Sequence, residues 1–415
     1  MAENILLINH YAGSPTHGME FRPFYFSREW QREGHEVHVF AASFSHLRSH
    51  NPAGVTWVRK EVLDGVHYHW FRTPTYRGNG LGRILNMGVF LLWLIAGLPV
   101  FIWKYRFSVV IASSTYPLDM VPAWILARLH KAKLVFEVHD LWPLSPLELG
   151  RYSRLHPFIL LMQWGENFAY SHCDTCVSLL PKAMNHMLEH GLQRRKFLYI
   201  PNGIDLAEWE SLQEELGTEQ VEAIEDLRAR VGFLLGYVGS HGLANALDTL
   251  VEAIAACQTQ SFGVVMIGSG PAKPGLMQKA ADLGLGDRII FLPPIPKRQV
   301  PQALARMDAL YIGWQRTPLY RFGISPNKLF DYMMAGKPIL HAIEAGNDPV
   351  VEAACGISVA PESTSALIEG LEFILHLSPE ARASMGDKGR EYVREKHQIS
   401  HLAGKMIHQI TSPRP

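Results

Sequence analysis

Short apolar runs that end in loop residues recur along this chain, separated by helix-length stretches, and the series runs twice. NILLI (4–8) is followed by a helical stretch from Phe24 to Glu33, closed by Gly34, and then by EVHVFAA (36–42). FSVVIASS, KLVFEVHD, CDTCVSLL and KFLYIPNG continue the alternation. Strands that alternate with helices predict a parallel sheet covered by helices on both faces. One segment departs from it: VTWVRKEVLDGVHYHWF (55–71) alternates on both sides of Asp64-Gly65, a hairpin-type turn. Residues 207–228, rich in Glu, Gln and Leu, read as helix and linker. FLLGYVGS (233–240) then starts the series again, and VVMIGSG, RIIFLPP, ALYIGW, KPILHA and GISVA follow. A chain of 415 residues is too long for one core. The expected fold is α/β, two doubly wound Rossmann-like domains facing across a cleft, with a boundary near 200–230. The charged helical stretch 380–411 is expected to fold back across that boundary.

Bulk properties narrow the partners. A formal net charge of 0 leaves no basic excess, so nucleic acid is not an expected partner. Four cysteines in so long a chain form no disulfide framework and fit a reducing compartment. Cys173 and Cys176 make a CxxC without the second ligand pair that a metal site needs; a thioredoxin-like redox role is another reading, and CDTCVSLL reads more strongly as a strand with packed thiols. MAENILLINHYAG lacks a basic start and a long apolar core, so no secretory leader is expected. ILNMGVFLLWLIAGLPVFIW (84–103) carries no charge over about the length of a bilayer span and is flanked by Arg77, Arg83, Lys104 and Arg106. A span would put strands of one sheet on opposite sides of a membrane, so it is rejected. A helix lying in the membrane surface, favoured by Trp93 and Trp103, competes with a buried crossover helix.

Ligands of such sheets sit at the carboxyl ends of strands, and the unusual residues fall there. HYAGSPTHGMEFRPFYF (10–26) carries Gly13, Gly18 and Arg22. VFEVHDLWP (135–143) ends a strand in Glu137, His139 and Asp140, and His139 and Asp140 are the catalytic candidates. YIPNGID (199–205) reads equally as a linker turn or a cleft loop. GYVGSHG (236–242) places Gly239, Ser240 and His241 between strand and helix, where free N–H groups suit a phosphate. FGISPNKLFDYMMAGKPIL (322–340) runs from Gly323, Ile324, Ser325 and Pro326 into a helix that begins with Asn327 and Lys328 and carries Asp331 one turn on. Arg316 and Arg321 precede it. A loop feeding a helix N-terminus is an anion site, with Lys328 as a point charge and Asp331 as an acceptor for ribose hydroxyls. An exposed i,i+3 ion pair between Lys328 and Asp331 is the competing reading.

Taken together, the glycine loop with Arg22, GHEVHVF, HDLWP, PNGID, YVGSHG, IGSGP, FLPPIP and SPNKLFDYMMAGKPI resemble a GT-B glycosyltransferase of family four. The forms SPNKLFDYM and HDLWP are similar to the bacterial branch that builds O-antigen, capsule and exopolysaccharide, including the N-acetyl-L-fucosaminyltransferase group. The resemblance implies retaining transfer from a nucleotide sugar, a UDP-N-acetyl amino sugar, with no cofactor and no metal. It implies a polyprenyl-diphosphate-linked acceptor in surface polysaccharide (lipopolysaccharide) synthesis, met at the cytoplasmic face of the inner membrane through helix 84–103. Residues 1–202 would then bind acceptor and 203–385 donor, with helices 386–415 returning to the first domain. His139 falls where the family places a histidine near the transferred sugar, Asp331 at the ribose, and Lys328 at the diphosphate. Gly18, Arg22, Gly239, Ser240, His241, Arg316, Arg321, Gly323, Ile324, Ser325 and Asn327 complete the implied donor site.

Two departures from the family pattern stand out. In the E-x7-E motif, Gly323 occupies the first glutamate's place, so backbone amides near Ile324 and Ser325 are expected to take over its contacts. Asp331 replaces the second glutamate. The usual basic pair after the first strand of the second domain is absent, and His241 stands there instead. Two further readings compete: a GT-B nucleotide-sugar epimerase, and a non-catalytic subunit of a polysaccharide assembly complex.

Overall fold

The structure, a computed structural model, describes residues 2–78, 80–150, 152–211 and 214–412. It divides into two units, Met1–Asn202 with Ile399–Pro415, and Gly203–Gln398. The first unit holds strands β1 (Asn4–Ile8), β2 (Glu36–Ala42), β3 (Val58–Leu63), β4 (Val66–Phe71), β5 (Val109–Ala112), β6 (Lys133–Val138), β7 (Thr175–Ser178) and β8 (Phe197–Tyr199). They form one sheet in the order β3-β4-β2-β1-β5-β6-β7-β8, parallel except for β3 against β4. That exception is the Asp64-Gly65 hairpin, in which both residues take positive φ (50° and 83°), the twist a two-residue turn between paired strands requires.

The chain order reverses around β1, which lies between β2 and β5. A doubly wound sheet opens a crevice at the carboxyl ends of the strands at such a point. Asn9 and His10 leave β1 there, Ser113 and Ser114 leave β5, and His139 leaves β6 next door.

The second unit holds β9 (Phe233–Val238), β10 (Phe262–Ile267), β11 (Ile289–Leu292), β12 (Ala309–Gly313), β13 (Ile339–Ala342) and β14 (Gly356–Val359), all parallel in the order β11-β10-β9-β12-β13-β14. Its β9 and β10 are buried at every position, as strands covered on both faces must be.

The C-terminal segment divides at Ile399, not at 386. In the helix Ile399–Thr411, the residues Ile399, Leu402, Ala403, Met406, Ile407 and Ile410 are buried. Their spacing makes one stripe, which packs into the first unit's core beside Trp30. Each large side chain of that stripe contributes about 1.5–3 kcal/mol by leaving water, and Trp30 Nε1 donates to the Ala403 carbonyl at 3.0 Å. By contrast, the helix Pro379–Lys396 packs Tyr392 and Val393 into the core of the second unit. Gly386 lets it close on the turn at Gly336, whose carbonyl oxygen would lie 1.9 Å from an added Cβ. Residues 413–415 of the segment lie outside the described residues.

The apolar stretch 84–103 forms two helices, Leu81–Ala96 and Leu98–Lys104, bent by 47° about Gly97. The first buries Asn86, Met87, Phe90 and Leu94 and exposes Leu81, Leu85, Leu92 and Ile95; the second buries nothing, and Trp103 is 84% exposed. Among the described residues no single helix is long and apolar enough to cross a membrane, although this bent pair would be by length and composition together. Cys173 and Cys176 are buried thiols in no disulfide among the described residues, and burial pushes the Cys176 thiol well above its ordinary range. A thiol held neutral in this way is no redox nucleophile.

Candidate active site

In the second unit, the loops after β9 and β10 meet. A Cβ on Gly268 would lie 1.9 Å from the Gly239 carbonyl oxygen, and one on Gly270 would lie 2.4 Å from that of His241. Only glycine permits this approach. The His241 N–H donates to the Ser269 carbonyl at 2.8 Å, and the Ala272 N–H donates to the His241 carbonyl at 3.0 Å. His241 itself is turned inward and fully buried, with no hydrogen bond to either ring nitrogen among the described residues. Burial, helped by Lys273 and Lys328, lowers its pKa to about 4. It is neutral at physiological pH, so it cannot replace the missing basic pair as a cation.

The cation of this loop is Lys328. It enters in the first turn of the helix Asn327–Met334, whose N-cap Pro326 supplies no side-chain cap. Its Nζ donates to the Tyr237 hydroxyl at 2.9 Å and to Asn245 Oδ1 at 3.1 Å, and lies 4.4 Å from the Tyr237 ring centroid. Its stem runs against Gly239, where a Cβ would come 2.9 Å from Cε. Neutral groups alone hold it, since no carboxylate lies within ion-pair distance among the described residues. Burial lowers its pKa to about 7. A cation, the positive end of a helix and two glycine loops converge here, and each of them favours an anion.

Asp331 does not pair with Lys328. Its buried carboxylate accepts from Lys297 instead, and burial raises its pKa while Lys297 opposes the rise. The exposed i,i+3 ion pair is therefore not formed. The loop before the helix also differs from expectation. The Ile324 N–H donates to Asn347 Oδ1 at 2.7 Å and its carbonyl accepts from Asn347 Nδ2 at 3.2 Å. The Gly323 N–H donates to the Tyr320 carbonyl at 2.8 Å. The Ile324 amide is therefore engaged within the unit, as is that of Gly323, so Ile324 does not stand in for the lost glutamate. Arg316 is exposed and pairs with Glu344 at 3.1 Å, while Arg321 donates to the Pro318 carbonyl and lies over the Phe322 ring. Neither shares a partner with Lys328. Ser240 holds its carbonyl toward the Tyr237 hydroxyl, 2.6 Å away, and so completes the lysine's surroundings.

In the first unit the strand ends carry a buried polar network. Arg22 is 4% exposed and sends Nε and Nη2 to Glu137 Oε1 at 3.0 and 2.9 Å. Its remaining N–H groups reach the Ile200 and Pro201 carbonyls and Asn202 Oδ1. With its donors used inside the unit, Arg22 ties β6 to the exit of β8 and is not a donor-site residue. Gly18 likewise serves a turn: it bridges to Ser14 and Arg48, and a Cβ there would meet Ser49. Burial works to raise the Glu137 carboxyl, but Arg22, His139 and Ser113 outweigh it and hold the group well below the usual carboxylate range. Ser113 Oγ donates to Glu137 Oε2 at 2.6 Å, and His139 Nε2 lies 3.2 Å from the same oxygen and 2.9 Å from Ser113 Oγ. Glu137 therefore keeps the proton on Nε2 and leaves Nδ1 as the acceptor. Asp140 turns back into its own loop, accepting from Ser145 Oγ at 2.5 Å and the Leu141 N–H at 3.0 Å. It is a turn-forming carboxylate, raised by burial, rather than a catalytic group.

Glu137, Ser113, Tyr237, Asn245, Lys297 and Asn347 thus join the sites without having been singled out for them by sequence. Glu137 alone had a signal, a charge inside an otherwise apolar strand.

Comparison with known proteins follows the same division. The family model described as "Glycosyl transferase 4-like domain" matches residues 18–203, and the one described as "Glycosyl transferases group 1" matches residues 227–392. The chain is 24% identical over 309 residues to D-inositol 3-phosphate glycosyltransferase of Nocardia farcinica, which covers 70% of this chain and 62% of that protein. It thus spans less than two thirds of the relative's length. Among solved structures it resembles sucrose-phosphate synthase from Thermosynechococcus elongatus, with a TM-score of 0.72 at 17% identity over 98% of both chains. It also resembles Anabaena HepE in complex with UDP-glucose, with a TM-score of 0.67 at 16% identity over 99% of this chain and 100% of that one. At such identities the likeness is one of fold.

Proposed function

Because this chain belongs to the GT-B glycosyltransferases, we propose that it moves a sugar, with retention, from a UDP-N-acetyl amino sugar to a polyprenyl-diphosphate-linked glycan during surface polysaccharide synthesis. The observation that carries the donor assignment is Lys328, a cation held only by neutral groups at a glycine junction and a helix N-terminus. A nucleoside diphosphate supplies the anion this arrangement favours. The bond from the sugar's anomeric carbon to the diphosphate oxygen breaks, and UDP takes the electron pair. The acceptor hydroxyl attacks from the same face and gives its proton to the departing phosphate oxygen. Lys328 and the helix amides stabilise the charge on that leaving group without a bound metal. Asp331, released from Lys297, takes the ribose hydroxyls. His139 Nδ1 accepts a hydroxyl of the transferred sugar.

A screen of radiolabelled UDP-sugars against a membrane lipid extract tests this reading. One donor should release UDP only when lipid is present, and His139→Ala should lower kcat/KM about tenfold or more with UDP affinity unchanged. Failure of every UDP-sugar to release UDP in the presence of lipid, or an epimer formed from donor alone, sinks the proposal.

The acceptor assignment rests on the apolar helix pair. Leu92, Ile95, Val100 and Trp103 are exposed, with Lys104 and Arg106 beside them. An open cavity of about 750 Å³ beside the first helix is lined by Phe44, Val55, Leu85, Val89 and Trp93 on apolar walls and by Ser43, Asn51, Arg72, Thr73 and Thr75 as polar groups, a mixed lining that suits a lipid-linked phosphate. Of the flanking bases, Arg83 is committed inward, donating to the Tyr11 hydroxyl at 3.0 Å. We expect Leu92→Lys, Ile95→Lys and Trp103→Lys together to move the folded protein from the membrane pellet to the soluble fraction. Persistence in the pellet with native circular dichroism counts against the membrane reading. Leu94 is unsuitable for this test because it is only 2% exposed and belongs to the core.

A further inference from the structure

Outside both sets of residues described above, a buried carboxylate faces two histidines. Glu166 lies in the helix Pro157–His172 and is 1% exposed. His186 and His190 stand one turn apart, within and just after the short helix Met184–Glu189. One ligand atom from each of the three lies within 4.8 Å of the others. His186 Nε2 is 2.9 Å from Glu166 Oε1, His190 Nδ1 is 4.0 Å from Oε2, and the two ring centroids are 4.5 Å apart.

Metal–ligand bonds of about 2.1 Å in tetrahedral geometry put the ligand atoms about 3.4 Å apart, which the 2.9 and 4.0 Å separations bracket. The carboxylate is also oriented from outside. The Tyr170 hydroxyl donates to Oε1 at 3.2 Å and Gln163 Nε2 donates to Oε2 at 2.8 Å, the kind of outer hydrogen bonding that holds a metal ligand in place. Gln163 Nε2 also donates to Asn167 Oδ1 at 2.9 Å, and His190 Nδ1 lies 3.0 Å from Gln163 Nε2 and 3.1 Å from Asn167 Oδ1.

We propose that Glu166, His186 and His190 bind one Zn²⁺, with water as fourth ligand. Two imidazoles and one carboxylate favour zinc over magnesium or calcium, which take oxygen ligands almost alone. The ion would clip the helix Pro157–His172 to the Met184–Glu189 helix, one before and one after β7. Its role is structural: none of its ligands belongs to the Lys328 or His139 groups, so the inference stands whether or not the transferase reading holds.

The test uses the whole chain, stripped of metal, titrated with ZnCl₂ by calorimetry and separately with Co²⁺ by visible absorption. One equivalent of Zn²⁺ should bind, Co²⁺ should give tetrahedral-type bands, and Zn²⁺ should raise Tm. Affinity should fall in acid, because the ligands must be deprotonated. His190→Gln, at a partly exposed position, should weaken Zn²⁺ binding tenfold or more and cancel the Tm rise while the fold is kept. Equal Zn²⁺ affinity and equal Tm response in the wild type and a folded His190→Gln variant would overturn the assignment and leave hydrogen bonding alone as the role of these side chains.

Discussion

Lys328→Ala is expected to weaken UDP binding by about tenfold to a hundredfold, read by calorimetry at neutral pH. Charge-assisted hydrogen bonds contribute about 1.5–3 kcal/mol each, which sets that range. The lysine's environment adds a pH signature. Its pKa in the free protein is about 7, because burial disfavours the ammonium and no carboxylate restores it. A diphosphate favours the ammonium, so binding near neutrality takes up a proton. UDP affinity should therefore fall as pH rises above 7, by up to tenfold per unit, until the pKa in the complex is passed. The variant should show neither the proton uptake nor the slope. Stability should run the opposite way. The unfolded lysine titrates near 10.4, so between pH 7 and about 10.4 the unfolded chain holds more protons than the folded one. Stability of the free protein accordingly rises with pH across that window, and Lys328→Met removes the rise and stabilises the protein at neutral pH. If Lys328→Ala binds UDP as the wild type does, the donor site has been assigned to the wrong residue.

Arg22→Ala should be the most destabilising single change, at about 3–5 kcal/mol in urea unfolding at pH 7, because it leaves Glu137 buried without its guanidinium partner, with only Ser113 and His139 on the other oxygen. Both side chains are 3% exposed, so solvent cannot replace the lost partner. The pH dependence follows from the sign of the shift. Glu137 has a depressed pKa in the folded wild type, so its stabilisation is present above the unfolded value near 4.3 and is lost as pH falls through the folded one. In the variant the carboxyl loses that support, so the gap between the two proteins should be widest at neutral pH and narrow in acid. Arg22→Met combined with Glu137→Gln should recover part of the loss, since it removes the isolated charge. Activity should not return with stability, because Glu137 orients His139 Nε2. A loss below 1 kcal/mol for Arg22→Ala would show that the pair is not holding β6 to β8.

The same network shows where reading by sequence falls short. Arg22 lies in a glycine-bearing loop at a strand's end, where a ligand-binding arginine is plausible on local grounds. Its partner is 115 positions away. His139 and Asp140 are adjacent, yet one joins a long-range network and the other caps its own turn. Asp331 keeps its place in the helix but is met by Lys297, 34 positions earlier, and not by Lys328 one turn before it. Ile324, offered as a free amide, is occupied by Asn347. His241 looks basic in the sequence and is neutral in the fold, because only burial reveals its lowered pKa.

Lys328 was legible because its evidence is local: a glycine-serine-proline loop, a helix start and a cation within seven residues of one another. The two sheets, the hairpin at Asp64-Gly65 and the buried CxxC strand were legible for the same reason. Periodicity, turn residues and apolar runs act through neighbours along the chain, and these determine the elements and their alternation. Tertiary structure alone decided which charges meet, that the tail joins the first unit from Ile399, and that one face of the apolar helix is core while the other is open. Those outcomes depend on burial and on side chains brought together from distant positions, and no local pattern encodes either.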